Sequence, residues 1–304
     1  MFVRFSLFVA LTFCSLMHAR VLVFTYAYNR PDFIEIQHRT LQKFMRDDYE
    51  LIVFSDAREE PHISSIEATC ARLGIRFIAI PQEIHNQPYL ARYKGEDYNA
   101  PAVRNANAVQ YSLNLMGYAH DDIVMLLDSD LFLVKPFSIR EYLEGYGLAG
   151  LRQGREHIEY LWIGLAFLDM RNLPKKASIS FNCGIVDGVP VDAGGFTHYY
   201  LKHNPEVRMR SIGYFTTDVL RGRCEDEAMN CAQLDQWLAL EGFDQHQITF
   251  LQGARDLEFF GNKEFLHYRG GTNWNYRDPD YHRKKTDALN AYIDTIAPKP
   301  SRSE

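Results

Sequence analysis

The stretch "IVMLLDSDLFLVKP", residues 123–136, decides how this chain is read. Five apolar residues run straight into Asp128-Ser129-Asp130, and the chain then turns apolar again. A short apolar run of this kind reads as a buried strand. Two carboxylates one residue apart at its end, with no Lys or Arg beside them, are costly unless something positive binds there. Three readings compete. The pair can be hard oxygen ligands for Mg²⁺ or Mn²⁺, which in turn grips a diphosphate. It can be a phosphatase-type nucleophile with its acid partner, or a solvated loop after a strand. The phosphatase pattern wants Thr or Val two residues after the second Asp, close to the chain start. Phe132 stands there, and three strands precede it.

Upstream, strand and helix patterns alternate. Residues 21–28 (VLVFTYAY), 49–56 (YELIVFSD) and 75–81 (IRFIAIP) are β-branched and aromatic, and read as strands. Between them, 30–45 carries Phe33, Ile36, Leu41 and Phe44 at near-helical spacing, and 63–74 is a helix closed by Gly74. The segment 100–117 reads as a helix with Pro101 near its first turn and Gly117 at its end. The fold class expected is α/β, a mostly parallel Rossmann-like sheet with helices on both faces. Ligands of such folds sit at the carboxyl ends of the strands, where Asp128 and Asp130 lie. Downstream, 146–153 and 161–170 read as strands, 179–196 as a Gly-rich loop or hairpin, and 225–242 as a helix. Residues 247–253 (QITFLQG) read as a short strand and 280–296 as a terminal helix.

The chain has 304 residues, and Lys+Arg of 33 against Asp+Glu of 39 leaves a formal charge of -6. The longest basic run is "RKK" at 283–285, so there is no electrostatic footprint for nucleic acid. Residues 1–19 have the shape of a secretory signal peptide: Arg4, an apolar stretch from Phe5 to Met17, then Ala19. That stretch is too short to span a bilayer, and no other segment is long and apolar enough. An exported or lumenal location is expected from it, and a cytoplasmic one if the segment is instead a buried first strand. Beyond it, Cys70, Cys183, Cys224 and Cys231 remain; the last two are close enough in sequence to pair. Residues 20–296 are expected to form one domain, in two halves, 20–135 and 136–296. A disordered tail of 297–304 follows.

The strand-Asp-x-Asp-strand arrangement, following a first strand "VFTYAYNRPDF", resembles the GT-A superfamily of glycosyltransferases. Four other segments fit the resemblance: "IVFSDA" with Asp56, "APAVRNANAV" with Arg104 and Asn105, "IGLAFLDMRNLP" with Asn172-Leu173, and "FLHYRGGTNWN" with His267, Gly270 and Trp274. The resemblance implies a metal-dependent transferase moving a sugar from a UDP- or GDP-linked donor to an acceptor hydroxyl on a glycan, lipid or protein, with 20–135 as the nucleotide-sugar-binding half of the catalytic domain and 136–296 as its acceptor-side half. It implies Mn²⁺ (or Mg²⁺) held by Asp128, Asp130 and His267. The donor would be bound by Thr25, Tyr26, Asp56, Arg104, Asn105, Asp128, Ser129, Asp130 and Arg269. Asp235, Asp192 and the Glu225–Asp226 pair would line the acceptor side as catalytic carboxylates. The order "LDQWLAL", "ITFLQG" and then the His segment leans toward the retaining, glycogenin-like branch. That branch has Lys-Pro-Trp after its His and Gly, where this chain has Asn273 and Trp274, and Arg269 is the residue that could supply the missing charge. "CEDEAMN" at 224–230 resembles instead the acidic pair of inverting members, so the stereochemistry stays open. The rival from another class is an exported, non-catalytic carbohydrate-binding module on the same fold, favoured by 18 Tyr, 20 Phe and 3 Trp able to stack on sugars.

Overall fold

The computed structural model describes residues 20–86, 100–216, 231–253, 256–272 and 278–299, so the leader expected at 1–19 lies outside it. The alternation expected of the first half is present. β1 (Val21–Ala27) leads to α1 (Pro31–Phe44), β2 (Tyr49–Ser55), α2 (His62–Leu73), β3 (Arg76–Ala79), α3 (Pro101–Ser112) and β4 (Ile123–Leu127). There follow β5 (Leu131–Leu133), α4 (Ile139–Tyr142), β6 (Leu148–Arg155), β7 (Ile158–Asp169), a hairpin of β8 (Gly184–Val186) with β9 (Val189–Val191), and α5 (Thr197–His203). The last part holds β10 (Met209–Ser211), β11 (Tyr214–Thr216), α6 (Cys231–Leu240), α7 (Gln245–Gly253), β12 (Glu258–Phe260), β13 (Phe265–His267) and α8 (Pro279–Ile296).

Seven strands form the central sheet in the order β10-β6-β7-β4-β1-β2-β3. Neighbours run parallel except β7, which is antiparallel to both β4 and β6. All seven residues of β1 are buried, and its side chains alternate between two cores as the strand period requires. Val21, Val23 and Ala27 share one core with Ile34 and Leu41 of α1 and Ile66 of α2. Leu22, Phe24 and Tyr26 share the other with Val103, Ala106 and Val109 of α3. Helices therefore cover both faces, which is why the strands read as continuous apolar runs.

The chain runs outward from β1 through β2 to β3, then returns to set β4 on the other side of β1. The strand order reverses there, and the carboxyl ends of β1 and β4 open a crevice, the position where α/β sheets take ligands. β5 leaves the Asp128–Asp130 turn and joins a second, antiparallel sheet in the order β11-β12-β13-β5. Phe33 and Ile36 of α1 pack against this sheet's Phe132, Phe259 and Leu266. Its register sets His267 opposite Leu131, beside Asp130, and sets Glu258 opposite His267 on the other flank.

Two local expectations are corrected. Residues 247–253 are helical, within α7, where a strand was expected. The cause lies just upstream: Asp244 Oδ1 accepts from the Gln247 N–H at 2.9 Å, and Gln247 Oε1 accepts from the Asp244 N–H at 3.2 Å. That reciprocal pair is a capping box, and it satisfies amide groups that only a helix start leaves open. The helix expected over 100–117 is α-helical to Ser112 and then widens into a π turn over Leu113–Gly117, closed by the Tyr118 N–H on Leu113 O. Among the described residues Cys70 is a free, buried thiol and Cys183 is buried, while Cys224 lies outside them.

Candidate functional site

Asp128 and Asp130 leave the carboxyl end of β4 in a tight turn that is held from three sides. The Asp128 N–H donates to Gly164 O of β7 at 2.8 Å, and the Leu131 N–H returns to Asp128 O at 3.1 Å. From α1, the buried amide of Gln37 donates to Asp128 O at 2.8 Å and Leu131 O at 3.0 Å. The Ser129 N–H caps Asp128 Oδ1 at 2.8 Å, and the Asn105 side chain gives Asp128 a further hydrogen bond. The backbone of the turn is thus fixed before any ligand arrives.

Segment 268–272 closes over Asp130. The Tyr268 N–H donates to Asp130 O and the Gly271 N–H to Asp130 Oδ2, each at 2.9 Å. A Cβ at Gly271 would stand 2.5 Å from Phe33 and 2.8 Å from the Asp130 Cβ, so only glycine lets the backbone come this close. Arg30, lying over Phe33, donates to Gly271 O at 3.0 Å. The buried Lys285 ammonium of α8 donates to the carbonyls of Tyr268, Arg269 and Asp256.

His267, at the end of β13, places Nε2 3.3 Å from Asp130 Oδ1. Its Nδ1 stands 2.7 Å from Glu258 Oε2. A carboxylate only accepts, so Nδ1 directs a proton at Glu258, and Nε2, which faces the Asp130 carboxylate, directs one at Asp130 when the ring is protonated. The Trp162 indole packs beside the His267 ring, with centroids 5.2 Å apart, and lies on Phe260 at 5.3 Å. It occupies the space a side chain at residue 164 would fill, with ring carbons 2.2–2.6 Å from where a Cβ would be.

The electrostatics follow from this crowding. Burial and the neighbouring Asp130 charge push the Asp128 carboxyl up to about 7. Burial also acts against ionised Asp130, but His267, by charge and hydrogen bond, with the Gly271 N–H, outweighs it and holds that carboxyl low. His267 is pushed up to about 9: burial lowers it, and Asp130 and Glu258 together raise it further. The positive charge of the protonated His267 ring is therefore shared between the two carboxylates, and Asp130 takes the larger part.

The donor set fits a divalent cation. Carboxylate oxygens and an imidazole nitrogen suit Mn²⁺ and, less well, Mg²⁺. Ligands at right angles about 2.1 Å from one octahedral ion stand about 3 Å apart, close to the separation of Asp130 Oδ1 and His267 Nε2. Among the described residues no group of three or more His, Cys, Asp or Glu is gathered to hold an ion alone. Of the expected ligand trio, Asp130 and His267 are in contact, whereas Asp128 is turned to Ser129 and Asn105. A site with few protein ligands is the kind that ligand phosphates complete.

A cavity of about 650 Å³ opens in front of this cluster. Tyr26, Tyr28, Asp56, Arg58, Arg104 and Asn105 line one side; Trp162, Ile163, Asp192 and Ala193 line another. Asp128, Ser129, Asp130 and His267 also line it, as do Gly270 and Thr272. Most of the residues named from the sequence are thus brought together, but two are engaged differently. Arg104 grips Asp56 through Nε at 2.9 Å and Nη2 at 2.6 Å, and also donates to Gln82 Oε1 at 2.8 Å. Asp56 meets His85 Nε2 as well, at 2.8 Å. The donor contacts expected of Asp56 and Arg104 would have to compete with this buried ion pair.

Other expected residues stand apart. Arg269 lies 3.5 Å from Glu258 Oε1 and is not in the cavity lining. Thr25 is buried inside β1; Tyr26 does line the cavity, but its hydroxyl is taken up by Ser112 Oγ at 2.8 Å. Asp235 sits on α6, away from the lining. Asn172 lines a second cavity, at the opposite end of the sheet, and bonds Asp169. Glu225, Asp226 and Trp274 lie outside the described residues. Gln37, Glu258, Gly271, Trp162 and Lys285 were not foreseen as parts of the site. Of these only Gly271 left a signal, as half of a Gly-Gly pair just after the histidine.

No family model matches the chain. No curated protein matches it either. Among solved structures it is similar to glucosyl-3-phosphoglycerate synthase from Mycobacterium tuberculosis in complex with Mn²⁺, uridine diphosphate and glucosyl-3-phosphoglycerate. That match has 18% identity, covers 64% of this chain and 69% of the other, and has a TM-score of 0.40. It is similar also to the mannosyltransferase PcManGT from Pyrobaculum calidifontis in complex with GDP-Man and Mn²⁺, at 15% identity, 63% and 54% coverage and a TM-score of 0.37. Core-mannan synthase A from Aspergillus fumigatus, in a Mn/GDP form, matches at 6% identity, 51% and 60% coverage and a TM-score of 0.36. These likenesses are distant ones.

Proposed function

We propose that the protein is a metal-dependent glycosyltransferase that moves a sugar from a nucleotide-diphosphate sugar to an acceptor hydroxyl. The observation that carries this reading is the contact of Asp130 with His267, beside Asp128, in a cavity at the strand-order reversal. Asp130 and His267 would hold Mn²⁺ (or Mg²⁺), with Asp128 at its margin. The cation, when bound, neutralises diphosphate oxygens and so eases departure of the nucleotide.

The chain's own residues divide the remaining work. Gln37, Gly164 and Gly271 fix the carboxylate turn, so that no reorganisation is needed when charge develops there. Arg104 and Asp56 stiffen the wall near Tyr28 and Arg58, and Arg58 donates to the Tyr28 hydroxyl at 2.8 Å. An aromatic ring beside a guanidinium suits the base and phosphate of a UDP- or GDP-linked donor. On the far side Asp192, with a half-exposed carboxylate, can accept a proton from an acceptor hydroxyl if the reaction inverts. If it retains, no protein base is required, and Asp192 serves to orient the acceptor. Asp235 and the Glu225–Asp226 pair remain candidates for the acceptor side. The acceptor would be a glycan, lipid or protein, met in an exported or lumenal setting if residues 1–19 act as a leader. Among the described residues no helix is long and apolar enough to cross a membrane.

The test is a thermal-shift measurement on the full chain with UDP and with GDP, each with and without Mn²⁺, beside Asp130→Ala. Stabilisation that needs both nucleotide and metal, and disappears in the variant, is the expected result and names the base. A folded protein that no nucleotide stabilises would sink the transferase reading.

A further inference from the structure

The carboxylate of Glu258 has no part in the reaction outlined above, yet it is the nearest polar neighbour of His267 on the side away from Asp130. It projects from β12 directly opposite His267 of β13, and its Oε2 lies 2.7 Å from Nδ1. Its other oxygen is 3.5 Å from the Arg269 Nε. The side chain is 18% exposed, so water competes little for these contacts. On the next side of the ring, Trp162 and Phe260 pack at centroid distances of 5.2 and 5.8 Å and close off rotation.

From this geometry we infer that Glu258 is a positioning residue for the metal site: it fixes the orientation of His267 and keeps Nε2 aimed at Asp130. The inference rests on the metal-dependent reading above. An imidazole ligates through one nitrogen, and which one is set by the hydrogen bond the other makes. With Nδ1–H anchored on Glu258, only Nε2 is presented to the cavity. Partners of this kind hold a ligand ring in place and raise its basicity, and their removal typically costs roughly 10- to 100-fold in metal affinity. Antiparallel pairing makes the device stiff, because register alone brings the two side chains face to face. Arg269 steadies the free end of the carboxylate, which gives that residue a role other than contact with phosphate.

The experiment is Mn²⁺ binding to the full chain, followed by the loss of the free-ion electron paramagnetic resonance signal in the presence of UDP or GDP, whichever stabilises the protein. Wild type, Glu258→Ala, Glu258→Gln and Asp130→Ala are compared, with thermal midpoints measured without metal. Glu258→Ala is expected to weaken Mn²⁺ roughly 10- to 100-fold. Glu258→Gln keeps an oxygen that accepts from Nδ1–H and is expected to stay within about threefold of wild type. Wild-type affinity in Glu258→Ala would overturn the inference, as would a Glu258→Gln chain as weak as Glu258→Ala. If wild type binds Mn²⁺ no better than Asp130→Ala, the metal reading itself fails and the inference falls with it. The first two outcomes leave that reading standing, so the failures are distinguishable. Should Glu258→Ala melt early, Glu258→Asp is the substitute, since its shorter reach withdraws the acceptor from Nδ1 while keeping the charge.

Discussion

At the scale of single residues, the site depends on one place where backbone replaces side chain. Gly271 brings its N–H to Asp130 Oδ2 by lying against Phe33 and the Asp130 Cβ. Both neighbours are buried, and Phe33 is wedged edge-on between Phe132 and Tyr268, so neither can move aside cheaply. Gly271→Ala is therefore expected to push segment 270–272 away from the carboxylate. Overpacking of this kind costs about 1–3 kcal/mol. Metal-dependent nucleotide binding should weaken about tenfold or more, because a charge-assisted hydrogen bond is lost with the displacement. Isothermal titration with UDP and Mn²⁺ beside a thermal melt checks both; a chain that binds like wild type would show the close approach to be incidental. The legible part of the site was the part written locally. Asp128 and Asp130 stand out because an apolar strand ends in them, and His267 because glycines follow it. Gln37 and Glu258 did not, since each is an ordinary polar residue on its own element. Their importance lies in contacts 91 and 9 residues away that only the fold creates.

At the scale of elements, the strands and helices of the first half could be read because each buries both faces or one stripe, and the periods differ. α7 was misread because its apolar residues Ile248, Phe250 and Leu251 sit in a short run that suits a strand as well as a helix. The decisive signal was three residues apart, Asp244 and Gln247, and it lies outside the apolar run. If that capping box sets the helix start, Asp244→Ala should cost about 1 kcal/mol, the usual effect of removing such a cap. Asp244→Asn should recover most of it, since an amide oxygen still accepts from the Gln247 N–H. Midpoints in urea read this directly, and equal loss in both variants would assign the effect to the carboxylate charge near Lys135, 3.9 Å away, rather than to the cap. The short strands β11, β12 and β13 are three residues each, below the length at which periodicity says anything. They nevertheless carry Glu258 and His267 to Asp130 by register.

At the scale of the whole molecule, the two ends of the central sheet have opposite electrostatic characters. At the carboxyl end, Asp128 and Asp130 are crowded together, with His267 in contact with Asp130, and burial and that neighbouring charge push Asp128 up. At the other end Asp122, just before β4, is buried yet amply paired: Arg140 of α4 donates through both Nη1, at 3.0 Å, and Nη2, at 2.5 Å, and Arg171 beyond β7 through Nη2 at 3.4 Å. Burial alone would push the Asp122 carboxyl up, but the hydrogen bonds and charges of Arg140 and then Arg171 together outweigh it and hold it below its ordinary 3.8. Asp122 O also accepts from the Met170 N–H, so this residue joins β4, α4 and the end of β7. A carboxyl whose folded value lies below its unfolded one stabilises the fold above the unfolded value, and that contribution is lost as pH falls through the folded one. Asp122→Asn should thus lower stability by about 2 kcal/mol near neutrality, the scale of hydrogen bonds to charged groups. The gap between wild type and variant should stay constant down to about pH 4 and then close as the wild-type carboxyl takes up its proton. Denaturant midpoints for both chains across pH 3–7 measure it. A gap that persists unchanged to the lowest pH would mean that shape, not charge, is what Asp122 contributes, and that the sheet's far end is held by packing alone.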